Sequence, residues 1–92
     1  MLKARKASAF LKALAHENRL MMLCLLSERE RSVTELEEVL ALSQATVSQQ
    51  LARLRHEGLV ETRREGRAIY YRLADDTNRQ FIEALYNKFC RS

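Results

Sequence analysis

The chain has 92 residues, a formal net charge of +4 and a sequence pI of about 9.4. This length predicts one small domain over residues 1–92, whose limited core favours association with a partner subunit. The sequence has no run of roughly eighteen apolar residues and no signal peptide, so we expect a soluble cytoplasmic protein without a membrane partner. Two cysteines in an intracellular chain argue against a disulfide framework and indicate either inert packing or redox chemistry.

Two helices are predicted in the first third of the chain. Over residues 2–14, apolar side chains recur at the i, i+3, i+4, i+7 spacing of an amphipathic helix. A second helix is expected to begin at residues 16–18 and to end near Ser27. Its residues 20–26 are apolar on every side, which is typical of a helix buried all round. The charged residues 28–31 should then form an exposed loop.

The next stretch predicts a helix-turn-helix. Ser32 and Glu35 form a capping box, in which the Ser32 hydroxyl accepts from the amide three residues on and Glu35 reaches back to the cap. Apolar residues follow at helical spacing as far as Leu40, and a second N-cap stands at Ser43. Such a short turn crosses two helices steeply and leaves the second one projecting. We call this second helix, predicted from Ser43 to about Glu57, the recognition helix.

The recognition helix has two different faces. Val47, Leu51 and Leu54 lie on one stripe and should face the core. Small and amide-bearing side chains on the other face suit a major groove, because amides pair with adenine edges and small residues allow close approach. We predict DNA contacts from Gln44, Ala45, Thr46, Ser48, Gln49 and Arg53. An ordinary solvated helix face is the alternative.

A basic β-hairpin is predicted after Gly58, the expected C′ residue of the recognition helix. Residues 59–64 and 67–73 read as strands that flank a two-residue Glu65-Gly66 connection. Arginines crowd its tip, and Arg64 and Arg67 are predicted to contact phosphates or the minor groove of double-stranded operator DNA. A solubilising charge run balanced by glutamates is the alternative.

A last helix is predicted from Thr77 to Cys90, capped by Asp75 or Asp76. Together with the first helix it offers more apolar surface than one small core can cover, so we predict a homodimer. The predicted interface residues are Phe10, Leu11, Leu14, Phe81, Ile82, Leu85, Tyr86 and Phe89. A two-fold dimer would place two recognition helices about one DNA turn, roughly 34 Å, apart on a near-palindrome.

The predicted fold class is therefore mostly α with a small β-hairpin, a winged helix-turn-helix of five helices and a two-stranded wing. An enzyme is not expected, because the sequence offers no credible Ser/His/Asp set, Gly-rich phosphate loop or paired carboxylates in an apolar setting. No cofactor is expected either. A winged-helix module that docks onto proteins rather than DNA is a further alternative, since one fold hosts several functions.

Residues 11–20, 42–55 and 57–71 resemble the signature segments of the ArsR family of winged-helix repressors. The resemblance covers nearly the whole chain and implies a bacterial dimer, built on the first and last helices, that leaves operator DNA when it meets its inducer. Many members sense metals, but residues 32–34 read Ser-Val-Thr where the metal box has cysteines, and the last helix has no histidine. We therefore expect no metal site.

Cys24 and Cys90 resemble the cysteine pair of the persulfide-responsive branch of that family. The resemblance implies that a low-molecular-weight persulfide transfers sulfur to one cysteine and that the other attacks it to close a polysulfide bridge within the subunit. The bridged dimer then releases the DNA. A direct disulfide needs Cα atoms within about 7 Å, and each inserted sulfur adds about 2 Å of reach. Cys90, beside Lys88 and Arg91, is predicted to react first, although its place at a helix C-terminus opposes a thiolate. Passive cysteines in a regulator switched by a metal or another ligand are the alternative.

Overall fold

A winged helix-turn-helix is the architecture of this chain in a computed structural model that describes residues 2–74 and 78–90. The helices of these residues are α1 (Leu2–Leu14), α2 (Glu17–Glu28), α3 (Val33–Leu40), α4 (Gln44–His56) and α5 (Asn78–Leu85), and a π-helical turn, Tyr86–Cys90, continues α5. The strands are β1 (Arg31–Ser32), β2 (Val60–Glu65) and β3 (Ala68–Leu73). The predicted fold class is thus confirmed. The predicted caps Asp75 and Asp76 and the predicted helix start at Thr77 lie outside the described residues.

The core lies where α1, α2 and α4 meet the sheet. Val47, Leu51 and Leu54 of α4 are fully buried, as their spacing predicted. On α2 the prediction of burial all round is only partly right, because Leu20 and Met21 remain 39% and 37% exposed. The elements that pack on α2 leave these two side chains uncovered, on either side of Cys24. Within the described ranges, no helix has the length and apolar character needed to cross a membrane.

The two helices of the helix-turn-helix, α3 and α4, begin at the predicted N-caps. Ser32 Oγ accepts a hydrogen bond from the Glu35 amide at 3.0 Å, and Ser43 Oγ accepts one from the Thr46 amide at 3.2 Å. The second half of the capping box is different from the prediction. The Glu35 carboxylate bonds to Arg29 and to Arg31 instead of turning back to the cap, because two cations compete for it.

Gly58 ends α4 as predicted. Its φ of 75° is left-handed, a conformation that costs glycine nothing because it has no Cβ. The Gly58 amide donates to the Arg55 carbonyl at 2.9 Å, and the Leu59 amide donates to the Leu54 carbonyl at 3.0 Å. These two bonds make a Schellman motif, which turns the chain from the recognition helix into the wing.

The wing, β2 and β3, differs from the prediction in two ways. The register pairs Val60 with Leu73 and Glu65 with Ala68, so the connection is Gly66-Arg67 and not Glu65-Gly66. Gly66 has a φ of 62°, and a two-residue hairpin whose first position needs a positive φ takes glycine there. In addition, β1 pairs antiparallel with β3, which makes a three-stranded sheet in the order β1-β3-β2.

The last helix does not keep its α-helical form as far as Cys90. It changes at Tyr86 to a π-helical turn with i→i+5 geometry. The apolar stripe predicted at α-helical spacing therefore breaks, and Phe89 is left 72% exposed. The same turn brings Cys90 to the α2 side of the molecule.

Candidate functional site

The recognition helix α4 presents the predicted DNA-contacting residues on its outward face. Because its apolar stripe is fully buried, the opposite side points away from the core. Gln44, Ala45, Ser48, Gln49 and Arg53 are exposed there, and Thr46 is half-buried. The Thr46 hydroxyl also accepts a hydrogen bond from Ser43 Oγ at 3.0 Å, so this residue contributes to the cap as well. Chemically, the face offers amide and hydroxyl groups of the kind that pair with base edges.

Arg19 anchors the recognition helix from behind, a role that the sequence did not reveal. One of its guanidinium nitrogens donates to Gln50 Oε1 at 2.7 Å, and another donates to the Lys12 carbonyl at 3.2 Å. Burial, followed by the nearby charge of Arg53, lowers the pKa of Arg19. This side chain thereby ties α4 to the end of α1.

The wing carries its basic residues in two kinds of setting. Arg63 donates to Glu30 at 2.7 Å and lies over the Tyr70 ring at 4.5 Å. The hydrogen bond between Arg63 and Glu30 lowers the pKa of Glu30 and raises the pKa of Arg63. Arg64 and Arg67 are exposed at the tip, where they can reach a phosphate. Arg63 therefore fixes the wing to the loop before β1, and two tip arginines face outward.

A groove connects the wing to the recognition helix. It has a volume of about 450 Å³ and is lined by Gln44 and Ser48 from α4 and by Arg67 and Ile69 from the wing. Residues predicted separately to read bases and to bind phosphates thus border one concave surface. Such a surface can follow a DNA strand from a base edge to the neighbouring backbone.

Cys24 and Cys90 lie together at the other end of the molecule. A disulfide joins them within one chain, and their Cα atoms are 5.7 Å apart, inside the usual range for such a bond. Both residues are half-buried. Since Cys24 stands in α2 and Cys90 in the π-helical turn, this bond fixes the end of the last helix to the middle of α2.

Hydrogen bonds lead from the Cys90 segment to the start of α3. Tyr86 OH donates to one oxygen of Glu28 at 3.1 Å, and Arg31 donates to the other at 2.6 Å. Arg31 also donates to Glu35 at 2.8 Å. We call Tyr86, Glu28, Arg31 and Glu35 the polar relay. The predicted exposed loop at residues 28–31 is wrong for Arg31, which is 8% exposed because β1 and three hydrogen bonds hold it inward.

The relay is charge-assisted at its α3 end. Hydrogen bonds from Arg29 first and Arg31 second lower the pKa of Glu35, so its carboxylate stays ionised and holds both cations. A displacement of Tyr86 can therefore reach the N-terminus of α3 through a continuous chain of hydrogen bonds.

Comparison with known proteins agrees with this geometry. Residues 16–62 match the family model described as "Bacterial regulatory protein, arsR family". The "Biofilm growth-associated repressor" of Agrobacterium fabrum is 51% identical over 88 residues, which are 96% of this chain and 75% of that protein. The chain belongs to the ArsR family. As a member of that family it is a DNA-binding transcription regulator and not an enzyme.

Two solved structures resemble this chain closely. The transcriptional repressor BigR from Xylella fastidiosa superposes with a TM-score of 0.87, at 46% identity, over 96% of this chain and 87% of that one. Reduced HlyU from Vibrio cholerae superposes with a TM-score of 0.88, at 44% identity, over 97% of this chain and 94% of that one. The wing and both terminal helices thus have counterparts in relatives of similar length.

The predicted dimer residues of this ArsR-family chain fall into two groups. Leu14 and Ile82 are buried inside the subunit core, so they add no exposed surface to an interface. Leu11, Phe81 and Phe89 are exposed, whereas Phe10, Leu85 and Tyr86 are half-buried. The rings of Phe10 and Phe81 meet edge to face at 5.4 Å, which joins α1 and α5 into one apolar surface. A homodimer built on this surface stays a prediction.

The positions of the family's metal sites carry other roles in this chain. Ser32 caps α3, and Thr34 is an exposed residue of that helix. Across residues 2–74 and 78–90, no group of three or more His, Cys, Asp or Glu side chains is arranged to hold a metal ion.

Proposed function

We propose that this protein is a transcriptional repressor that binds operator DNA as a homodimer while Cys24 and Cys90 are reduced. Reaction with a low-molecular-weight persulfide bridges the two cysteines and releases the DNA. The observation that carries this proposal is the 5.7 Å separation of the two Cα atoms, on two different helical elements. The names of relatives support it, since the Agrobacterium and Xylella proteins are described as repressors.

The chemistry balances with one persulfide per subunit. A cysteine thiolate attacks the sulfane sulfur of R–S–SH, and the thiolate RS⁻ leaves, so that the cysteine becomes a persulfide. The second cysteine thiolate attacks the inner sulfur of that persulfide and expels HS⁻. Two thiols are oxidised to a disulfide, and the sulfane sulfur is reduced to hydrogen sulfide. Two cysteine thiols and RSSH thus give a disulfide, RSH and H₂S.

The distance between the cysteines has a consequence for selectivity. At 5.7 Å the Cα atoms already allow a direct disulfide, so the extra reach of about 2 Å per inserted sulfur is not needed to close a bridge. A peroxide can close the same direct bond. A preference for persulfide over peroxide must therefore come from how each reagent reaches the two cysteines, and not from the distance between them.

The polar relay provides a route from the bridge to the DNA-binding face. Closing the bridge fixes Cys90 against α2 and so fixes Tyr86, one turn earlier. Tyr86 bonds to Glu28, and Glu28 shares Arg31 with Glu35 at the start of α3. A bridge can lower DNA affinity only if the bridged and open conformations hold the helix-turn-helix differently. The polar relay is the hydrogen-bonded path through which these two conformations can differ.

Removing one hydroxyl tests this route. Tyr86→Phe deletes the hydrogen bond to Glu28 but keeps the ring beside the cysteines. A hydrogen bond to a partly exposed charged group contributes about 1 kcal/mol, so the ratio of reduced to bridged operator affinity should shrink roughly fivefold. Tyr71→Phe, on β3, is the matched control. Tyr71 lines the groove between the wing and the recognition helix, so the variant can change both affinities alike but should leave their ratio unchanged. Equal ratios in wild type and Tyr86→Phe would remove the relay from the mechanism.

Operator binding after three treatments tests the proposed function itself. An operator is first selected from random duplex DNA with the reduced protein. Its affinity is then measured for reduced, peroxide-treated and glutathione persulfide-treated protein, while peptide mass spectrometry follows the Cys24–Cys90 link. We expect persulfide treatment to form the link and to weaken binding at least about fivefold. A linked protein that binds as tightly as the reduced one would favour passive cysteines.

A further inference from the structure

An apolar cavity of about 330 Å³ lies against the cysteine pair, between α2 and the last helix. Leu20 and Leu23 line it from α2, and Ile82 and Leu85 line it from α5. Both cysteines stand in the same wall. A dry cavity of about 150 Å³ can hold benzene, so this volume suits an organic group of about twice that size. A molecule seated here would contact both cysteine residues.

The wall of this cavity is almost free of charge. Apart from the cysteines themselves and the Tyr86 phenol, its lining residues have no titratable side chain. Transfer of a charged group into such a wall would cost its hydration without returning an ion pair. Ser27 also lines the cavity, and its hydroxyl is buried with no hydrogen-bond partner among the described residues. Such an orphaned donor is uncommon in folded proteins.

We propose that this cavity seats the uncharged, apolar substituent of the sulfur donor, so that small apolar organic persulfides and trisulfides bridge the pair faster than charged ones. The inference rests on the proposed function, since it takes Cys24 and Cys90 as the reacting groups. It also supplies the selectivity that the short Cα distance does not. Hydrogen peroxide has no substituent to occupy the cavity, whereas an alkyl persulfide gains the burial of its alkyl group.

The reaction with a trisulfide R–S–S–S–R can be written without any other reagent. One cysteine thiolate attacks an outer sulfur of the trisulfide, the adjacent S–S bond breaks, and RSS⁻ leaves. The second thiolate attacks the cysteine sulfur of the mixed disulfide and expels RS⁻. Two protons from the cysteine thiols end on the leaving groups. Two cysteine thiols and RSSSR thus give a disulfide, RSSH and RSH, and the trisulfide takes up the two electrons.

A series of donors tests the proposal on the intact, reduced protein. Dimethyl, diethyl and dipropyl trisulfide are compared with glutathione trisulfide, and mass spectrometry measures the rate of Cys24–Cys90 bridging. Each rate is divided by the rate of the same donor with N-acetylcysteine amide, which removes intrinsic reactivity. We expect the normalised rate to rise about fourfold for each methylene in the reacting arm, the equivalent of about 0.8 kcal/mol. Glutathione trisulfide should be at least about tenfold slower than dipropyl trisulfide.

Two neighbouring positions on α2 provide a matched pair of variants. Leu20 lines the cavity and is 39% exposed, whereas Met21 lines a separate groove on the other side of the bridge and is 37% exposed. Leu20→Trp should fill the cavity and abolish the dependence on alkyl length. Met21→Trp should preserve it. Leu85→Phe, which fills the cavity from α5, is a second test if Leu20→Trp does not fold.

The outcomes separate this inference from the function on which it rests. Normalised rates that are equal for alkyl and glutathione donors, or equal effects of Leu20→Trp and Met21→Trp, would overturn the cavity as the donor site. Failure of every trisulfide and also of glutathione persulfide to bridge the cysteines would overturn the proposed function instead. A graded alkyl series that only Leu20→Trp or Leu85→Phe removes would establish the site.

Discussion

Cys24→Ser and Cys90→Ser should each leave the operator bound after treatment with persulfide. In the wild-type protein the bridge is expected to weaken DNA binding by roughly 5- to 150-fold, the usual range of coupling between two sites in one protein. Neither variant can close an intrachain bond, so both should keep the affinity of the reduced state. The measurement is fluorescence anisotropy with a labelled operator before and after treatment.

The two variants also separate a bridge from modification of one thiol. If a persulfide on Cys90 alone displaced the helix-turn-helix, Cys24→Ser would respond like wild type and Cys90→Ser would not. A mechanism that needs the link predicts loss of response in both. Because Cys24 is half-buried, Cys24→Ala is the appropriate companion variant, since it adds no hydroxyl to that site. Reduced-state affinity within about twofold of wild type in all variants is the control for folding. A wild-type response in Cys24→Ser would contradict the bridged sensor.

Short-range hydrogen bonds made the helix-turn-helix predictable from the sequence. Ser32, Ser43 and Gly58 act through bonds to residues only a few positions away, so their roles follow from short-range rules. The α3–α4 turn shows where such rules end. Ala41 caps α3 with a φ of 54°, a left-handed conformation that alanine adopts at a cost of roughly 1–2 kcal/mol. Nothing in an Ala-Leu-Ser sequence marks that position as left-handed.

Other features of the structure depend on partners far apart in the sequence, which short-range rules cannot predict. β1 exists because residues 31–32 meet β3, and Arg63 bonds to Glu30 from 33 positions away. The bridge joins cysteines 66 positions apart. For that pair, spacing alone offered no guide, and the family resemblance supplied the expectation. The π-helical turn that presents Cys90 to α2 likewise has no signature in an apolar period of 3.6 residues.

The exposed arginines of the wing tip allow a second test with a large expected effect. In the double variant Arg64→Ala/Arg67→Ala, operator affinity should fall at least about tenfold at low salt. Each phosphate contact contributes about 0.9 to the slope of log affinity against log salt concentration. Two contacts per subunit in a homodimer should therefore reduce the slope by about 3 to 4. The measurement is a salt titration of operator binding with the reduced protein.

Arg72→Ala is the matched control, because Arg72 is an exposed arginine of the same wing, on β3, but bonds to Glu61 at 2.9 Å. Its salt slope should equal that of wild type. The free energy of unfolding should change by less than about 0.5 kcal/mol in the double variant, since both tip side chains are exposed. A loss of affinity with an unchanged slope would mean that these arginines act on the shape of the wing rather than on phosphates. No change in either quantity would favour a winged helix that docks onto protein, because a DNA-binding wing cannot lose two phosphate contacts without losing its sensitivity to salt.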